Sequence, residues 1–130
     1  MIDPKFIKED IESIRKLLEK RNMTGAVDIE LLKTMNDERR SLIQKSDEAR
    51  EKKNRLSKEI GQKKAKKENA DDLMKQSQDF SDEIKRCTDR LAELEGEYTE
   101  LHLSIPNFLD PSVPEGKSDE DNPVVRTWGE

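Results

Sequence analysis

The chain has 130 residues, 42% of them charged, 31% hydrophobic and 4% aromatic, with a formal net charge of −5. A compact globule of this length draws on roughly 45–50% apolar residues, so a thick core is excluded, and near-cancellation of opposite charges favours long solvated helices over disorder. A single Cys and a single His exclude an internal disulfide and argue against a zinc cluster or a Cys/His catalytic pair, and no stretch is apolar enough to span a membrane.

The opening MIDPKFIKED has no signal-peptide core and too many acids for a transit peptide, which sets the expected compartment as a reducing cytoplasm. Asp3 before Pro4 is a helix start, since aspartate accepts orphan backbone N–H groups and proline has none to lose. Ile7, Ile11, Ile14 and Leu18 recur at helical spacing, so one short amphipathic helix is expected to run to about Arg21. Asn22 to Ala26, with Gly25 inside, breaks the pattern, and Asp28 is placed to cap a second, long helix.

The strongest pattern comes later. Leu73, Ser77, Phe80, Ile84, Cys87, Leu91, Leu94, Tyr98, Leu101 and Ile105 alternate in steps of four and three, a 3.5-residue repeat that requires a partner helix. Leu32, Met35, Arg39, Leu42, Ser46, Ala49, Lys53, Leu56 and Ile60 supply it, less purely. A short connection across Gly61–Asn69 makes the neighbours antiparallel, with Asn69 and Asp72 opening the returning helix. The expected fold is all-α: a short N-terminal helix plus a long two-stranded antiparallel coiled-coil hairpin. Its register pairs Ile60 with Leu73, Lys53 with Phe80, Ala49 with Ile84, Leu42 with Leu91, Arg39 with Leu94 and Met35 with Tyr98. The Lys53 methylenes are expected to lie on Phe80. Beyond Ile105, Pro106, Pro111, Pro114 and Pro123 rule out continued helix. Residues 106–130 are expected to be an extended, acidic connector ending in a short strand at VVRTW, joined to further chain, with 1–105 as the helical arm.

Charge is unevenly spread. From Arg50 to Lys67 stand nine basic residues, Arg50, Lys52, Lys53, Arg55, Lys58, Lys63, Lys64, Lys66 and Lys67, against Glu51 and Glu59 only. Most lysine runs are solvated helix faces, but a rod with a basic tip and an acidic return helix is suited to contacting a polyanion. Cys87 sits in the seam as a buried thiol, His102 has no second ligand at metal spacing, and Trp128 serves best as an anchor. The carboxylates lie at helix-face spacing with basic partners, and the glycines are isolated. No catalytic, cofactor-binding or metal residues are expected.

MIDPKFIKEDIESIRKLLEKRN, VDIELL, DERR, NRLSKEIG, the acidic heptad helix, IPNFLDPSVPEG and EDNPVVRTWGE follow one another in this order. The ordered set, especially NxxSKxIG with IPN…SVPxG and VRxWG, resembles the N-terminal tRNA-binding domain of bacterial-type seryl-tRNA synthetases over essentially the whole chain. The resemblance implies an arm that grips the long variable arm and elbow of serine tRNA, and selenocysteine tRNA as a second partner. The positions matching its motif are Asn54, Ser57, Lys58, Ile60 and Gly61. With the basic residues that flank them, Arg50, Arg55, Lys58, Lys63 and Lys64 are the expected phosphate and sugar contacts, and Asn54 and Ser57 are lesser hydrogen-bonding candidates. ATP and Mg, the homodimer interface and the class II catalytic motifs of a serine–tRNA ligase would belong to sequence beyond Glu130, so this chain alone is expected to bind tRNA without activating serine. The competing reading is a free-standing coiled-coil hairpin acting as a structural or chaperone-like interaction protein.

Overall fold

A computed structural model describes residues 1–129. Four α-helices follow in order, α1 (Pro4–Glu9), α2 (Ile11–Lys20), α3 (Ile29–Ala65) and α4 (Asp71–Leu103), with a 3-10 turn at Asp119–Asp121. The described residues contain no strand, and α3 and α4 form the expected helical hairpin. The chain divides into two compact units, one of residues 1–36 with 98–129, the other of residues 37–97.

In the first unit the single helix expected up to Arg21 is two. Asp3 caps α1 by accepting from the Lys5 N–H, with Pro4 in the first turn as expected. At Asp10 the backbone leaves the helix (φ −147°, ψ 61°), and its carboxylate accepts from the Ser13 N–H to start α2. Hydrophobic spacing passes through the break unaltered, so periodicity does not reveal it. α2 ends in a left-handed residue, Asn22 (φ 53°). Met23 N–H bonds Leu18 O at 2.8 Å and Asn22 N–H bonds Glu19 O at 3.0 Å, the paired bonds that close a helix when the residue after its cap turns left-handed. Asp28 caps α3 as expected, its Oδ1 2.9 Å from the Leu31 nitrogen.

Ile7, Ile14, Leu17 and Leu18 from α1 and α2 form the core of this unit with Leu32, Met35, Tyr98 and Ile105, all buried. His102 is a base-packing residue. It is buried and its Nε2 lies 2.7 Å from Ile2 O, so that nitrogen carries the proton.

The proline-rich segment is fastened at several points to α1 and to the turn after α2. Phe108 meets Phe6 edge-on with ring centroids 4.8 Å apart. The Arg21 guanidinium donates twice to Asn107 O, at 3.1 and 2.7 Å, and the Asn22 side-chain amide donates to Gly116 O at 2.6 Å. Segment 124–128 is not a strand. Val124, Val125 and Trp128 are exposed, and a strand without a neighbour leaves its backbone groups unpaired.

In the second unit, burial follows the seam read from the sequence. On α3, Ser46 and Ala49 are buried and Arg39, Leu42, Lys53, Leu56 and Ile60 half-buried; on α4, Cys87 and Leu94 are buried and Leu73, Ser77, Phe80, Ile84 and Leu91 half-buried. Arg39 is bonded to Glu95 and Glu38 to Arg90, ion pairs that join α3 to α4, and the short connection between Ala65 and Asp71 sets the antiparallel sense. The cation over the Phe80 ring is Lys52, with Nζ 5.9 Å from the centroid, while Lys53 occupies the half-buried seam position one residue on.

Candidate nucleic-acid interface

The end of the hairpin is built by a helix that stops abruptly. α3 persists through Gly61 to Ala65, beyond the weakening expected at Gly61, because Gln62 to Ala65 are adequate helix formers. Lys67 then turns left-handed (φ 58°). Glu68 N–H bonds Lys63 O at 2.9 Å and Lys67 N–H bonds Lys64 O at 3.1 Å, the same closure that Asn22 makes. Asn69 Oδ1 accepts from the Asp71 nitrogen at 2.9 Å, one residue before the cap position, which Ala70 holds by accepting from the Met74 N–H at 2.9 Å. Asp71 and Asp72 fill the first turn of α4, where negative charge meets the positive end of the helix dipole. Ala70 is buried beneath the turn.

Heptad position sorts the seven sequence-predicted contact residues. Positions seven apart share one side of a coiled-coil helix, so Arg50, Ser57 and Lys64 are equivalent, and Asn54 adjoins them at the position Gly61 repeats. Together they form one flank, stepping four, three, four and three along α3. Arg50, Asn54, Ser57 and Lys64 are exposed, and Lys58, also exposed, lies beside them on the side away from the seam. The structure therefore brings five of the seven together. Arg55 falls further round the outer side and is ion-paired to Glu51. Lys63 follows Leu56 by seven at a seam position and is half-buried. The opposite flank carries Lys52, Glu59 and Lys66, an acid between two bases.

Within the favoured flank, polar groups are partly committed. Arg50 Nη1 lies 3.4 Å from Asp47 Oδ1, with both side chains more than half exposed, so the pair is weak and exchangeable. The Ser57 hydroxyl donates to Lys53 O at 2.9 Å. This uses its one proton and leaves its oxygen lone pairs facing outward as acceptors.

Other concave surfaces are poorer candidates. One, about 680 Å³, is a shallow trough on α3 lined by Asp37, Arg40, Ser41, Gln44, Glu48 and neighbours, acidic in balance and unsuited to a polyanion. Among the described residues no cluster of His, Cys, Asp or Glu is arranged to hold a metal, and no helix is long and apolar enough to cross a membrane.

Comparison with known proteins supplies the context. The family model described as the seryl-tRNA synthetase N-terminal domain matches residues 1–109. The serine–tRNA ligase of Staphylococcus haemolyticus is 37% identical over 129 residues, covering 99% of this chain and 30% of that protein. That of Leptospira biflexa is 38% identical over 131 residues, covering all of this chain and 31% of that protein. The crystal structure of seryl-tRNA synthetase from Pyrococcus horikoshii complexed with ATP superposes with a TM-score of 0.87 at 29% identity, over 99% of this chain and 29% of that one. The chain thus spans about a third of the length of the relatives it matches. On the evidence of its sequence, its helical hairpin and these matches, the chain belongs to the seryl-tRNA synthetase N-terminal domain family.

Proposed function

We propose that this chain is the tRNA-binding arm of a serine–tRNA ligase, its hairpin gripping the long variable arm and elbow of serine tRNA. The observation that carries this reading is the basic end of the hairpin: nine cationic residues against two acids between Arg50 and Lys67, five of the seven candidate contacts forming one continuous patch. A helical hairpin with cations along one flank suits RNA, whose long variable stem is recognised by backbone and shape more than by base edges. Selenocysteine tRNA is a second partner of the same chemistry. Residues 106–130 lead, in this reading, toward a class II catalytic domain that uses ATP and Mg in a cytoplasmic homodimer. A free-standing interaction hairpin accounts for the seam but not for the likeness of the whole chain to serine–tRNA ligases.

The direct test compares the affinity of this chain for serine tRNA with that for the same tRNA lacking its variable arm. Tighter binding of the intact tRNA is expected; equal affinities would refute a grip on that arm. With ATP and serine alone, the chain should form no seryl adenylate, and pyrophosphate exchange above background would place chemistry where none is proposed.

A further inference from the structure

Gly61 has no role that the chain itself explains. It lies inside α3, and among the described glycines only Gly25 and Gly129 have positive φ, so no backbone conformation demands it. A Cβ built there would meet nothing within 4 Å, so no internal packing demands it either. Glycine in an exposed helix interior is destabilising relative to alanine through lost backbone entropy. The position therefore carries a cost with no return inside the molecule.

Its surroundings point outward. Gly61 repeats the heptad position of Asn54, with Ser57 and Lys58 one turn before it and Lys64 one turn after. We propose, building on the RNA-binding reading above, that Gly61 is the point of closest approach for the ribose–phosphate backbone of the bound RNA. The bare Cα lets the backbone settle against the helix, where Arg50, Lys58 and Lys64 meet phosphates and the Asn54 amide donates to a phosphate or sugar oxygen. Ser57 has spent its proton on Lys53 O and offers only lone pairs, so it takes a donor from the ligand. The ribose 2′-hydroxyl is the donor on a sugar–phosphate backbone, and DNA lacks it. Gly96 in α4 is an internal contrast. It too has open space at Cβ, but Glu93 and Glu100 flank it on the same face and repel a polyanion.

The test uses the full chain with Gly61→Ala, Gly61→Leu and Gly96→Ala, measured by equilibrium binding to a serine tRNA transcript across a salt series and by thermal melting. Both alanine variants should melt roughly 2–5 °C higher. Gly96→Ala should bind as the parent does. Gly61→Ala should bind about fivefold more weakly and Gly61→Leu about thirtyfold or more, the scale of losing one and then two polar contacts. The slope of log affinity against log salt should be unchanged, because no charge is removed. Alanine and leucine have similar helix propensity, so equal losses from both would point to stiffening of the helix and overturn the proposal. Undiminished affinity of Gly61→Leu would overturn it while leaving the RNA-binding reading intact. Failure of the parent chain to bind the transcript would overturn both.

Discussion

Sorting the tip lysines and arginines by heptad position makes a charge-matched experiment available. One triple variant, Arg50, Lys58 and Lys64 to Gln, empties the proposed flank. A second, Lys52, Lys63 and Lys66 to Gln, removes the same net charge from the opposite flank and the seam. Each phosphate neutralised contributes about −0.7 to −0.9 to the slope of log affinity against log salt, so four to six contacts give the parent a slope of roughly −3 to −5. If all three residues of the first set touch phosphate, the slope should become shallower by about 2–2.7, and affinity at 0.15 M salt should fall roughly 50- to 150-fold. The second set should change either quantity far less. Filter binding or fluorescence anisotropy with serine tRNA between 50 and 300 mM salt reads both. Melting of the first variant should match the parent, since Arg50, Lys58 and Lys64 are exposed. A further control, Lys5, Lys8, Lys16 and Lys20 to Gln, lies outside the hairpin tip. Equal losses from both triples would mean diffuse attraction to a basic end, and the flank assignment would fail.

Three further outcomes are expected. Leu94→Ala should destabilise the fold by about 2–5 kcal/mol by denaturant titration, because Leu94 is only 1% exposed, whereas Leu91→Ala at a half-buried seam position should cost distinctly less; equal losses would deny that burial sets the cost. Lys67→Gly should stabilise the chain by roughly 0.5–1 kcal/mol, since a side chain at φ 58° is strained where glycine is not; a lower melting temperature would contradict that closure. The Arg90 guanidinium hydrogen-bonds Glu38 and holds its carboxyl below the ordinary range. A folded-state pKa below the unfolded one gives stability that is fully present above the unfolded value, about 4.3, and is lost as pH falls through the folded value. Glu38→Gln should therefore melt below the parent at pH 7, with the gap closing on acidification; a gap that widens as pH falls would reverse the assigned sign.

The hairpin was legible because a 3.5-residue repeat admits one physical solution, and each helix supplied the other's missing face. Even the imperfect members Ser46 and Lys53 fall on the buried side, since register is a property of the whole row. What escaped reading was local. The break at Asp10 leaves the hydrophobic spacing intact, and the side-chain caps that make it look in sequence like any aspartate within a helix. Lys67 in a left-handed turn defies the expectation of glycine, because the six-to-one bond from Glu68 to Lys63 compensates the strain. The fastening of Asn107 and Gly116 to Arg21 and Asn22 joins residues 86 and 94 apart in the chain, a distance at which no periodicity speaks. For the site, proximity in sequence was a poor guide: Lys63 and Lys64 are neighbours, yet one lies in the seam and the other on the exposed flank.

The thinning of the seam toward the turn has a dynamic consequence. In the 37–97 unit, the buried seam positions are Ser46, Ala49, Cys87 and Leu94, while from Lys53 round to Phe80 seam residues are at best half-covered, Ala70 at the turn excepted. Opening free energy follows local apolar burial, so backbone amides around residues 56–77 should exchange with solvent deuterium soonest, and protection should climb steadily toward Leu42 and Leu94. The segment proposed to meet RNA is then the one with the least cohesion of its own. A bound partner closing over it should retard exchange most where the free chain exchanges fastest, turning the loosest stretch of the rod into its most strongly shielded one.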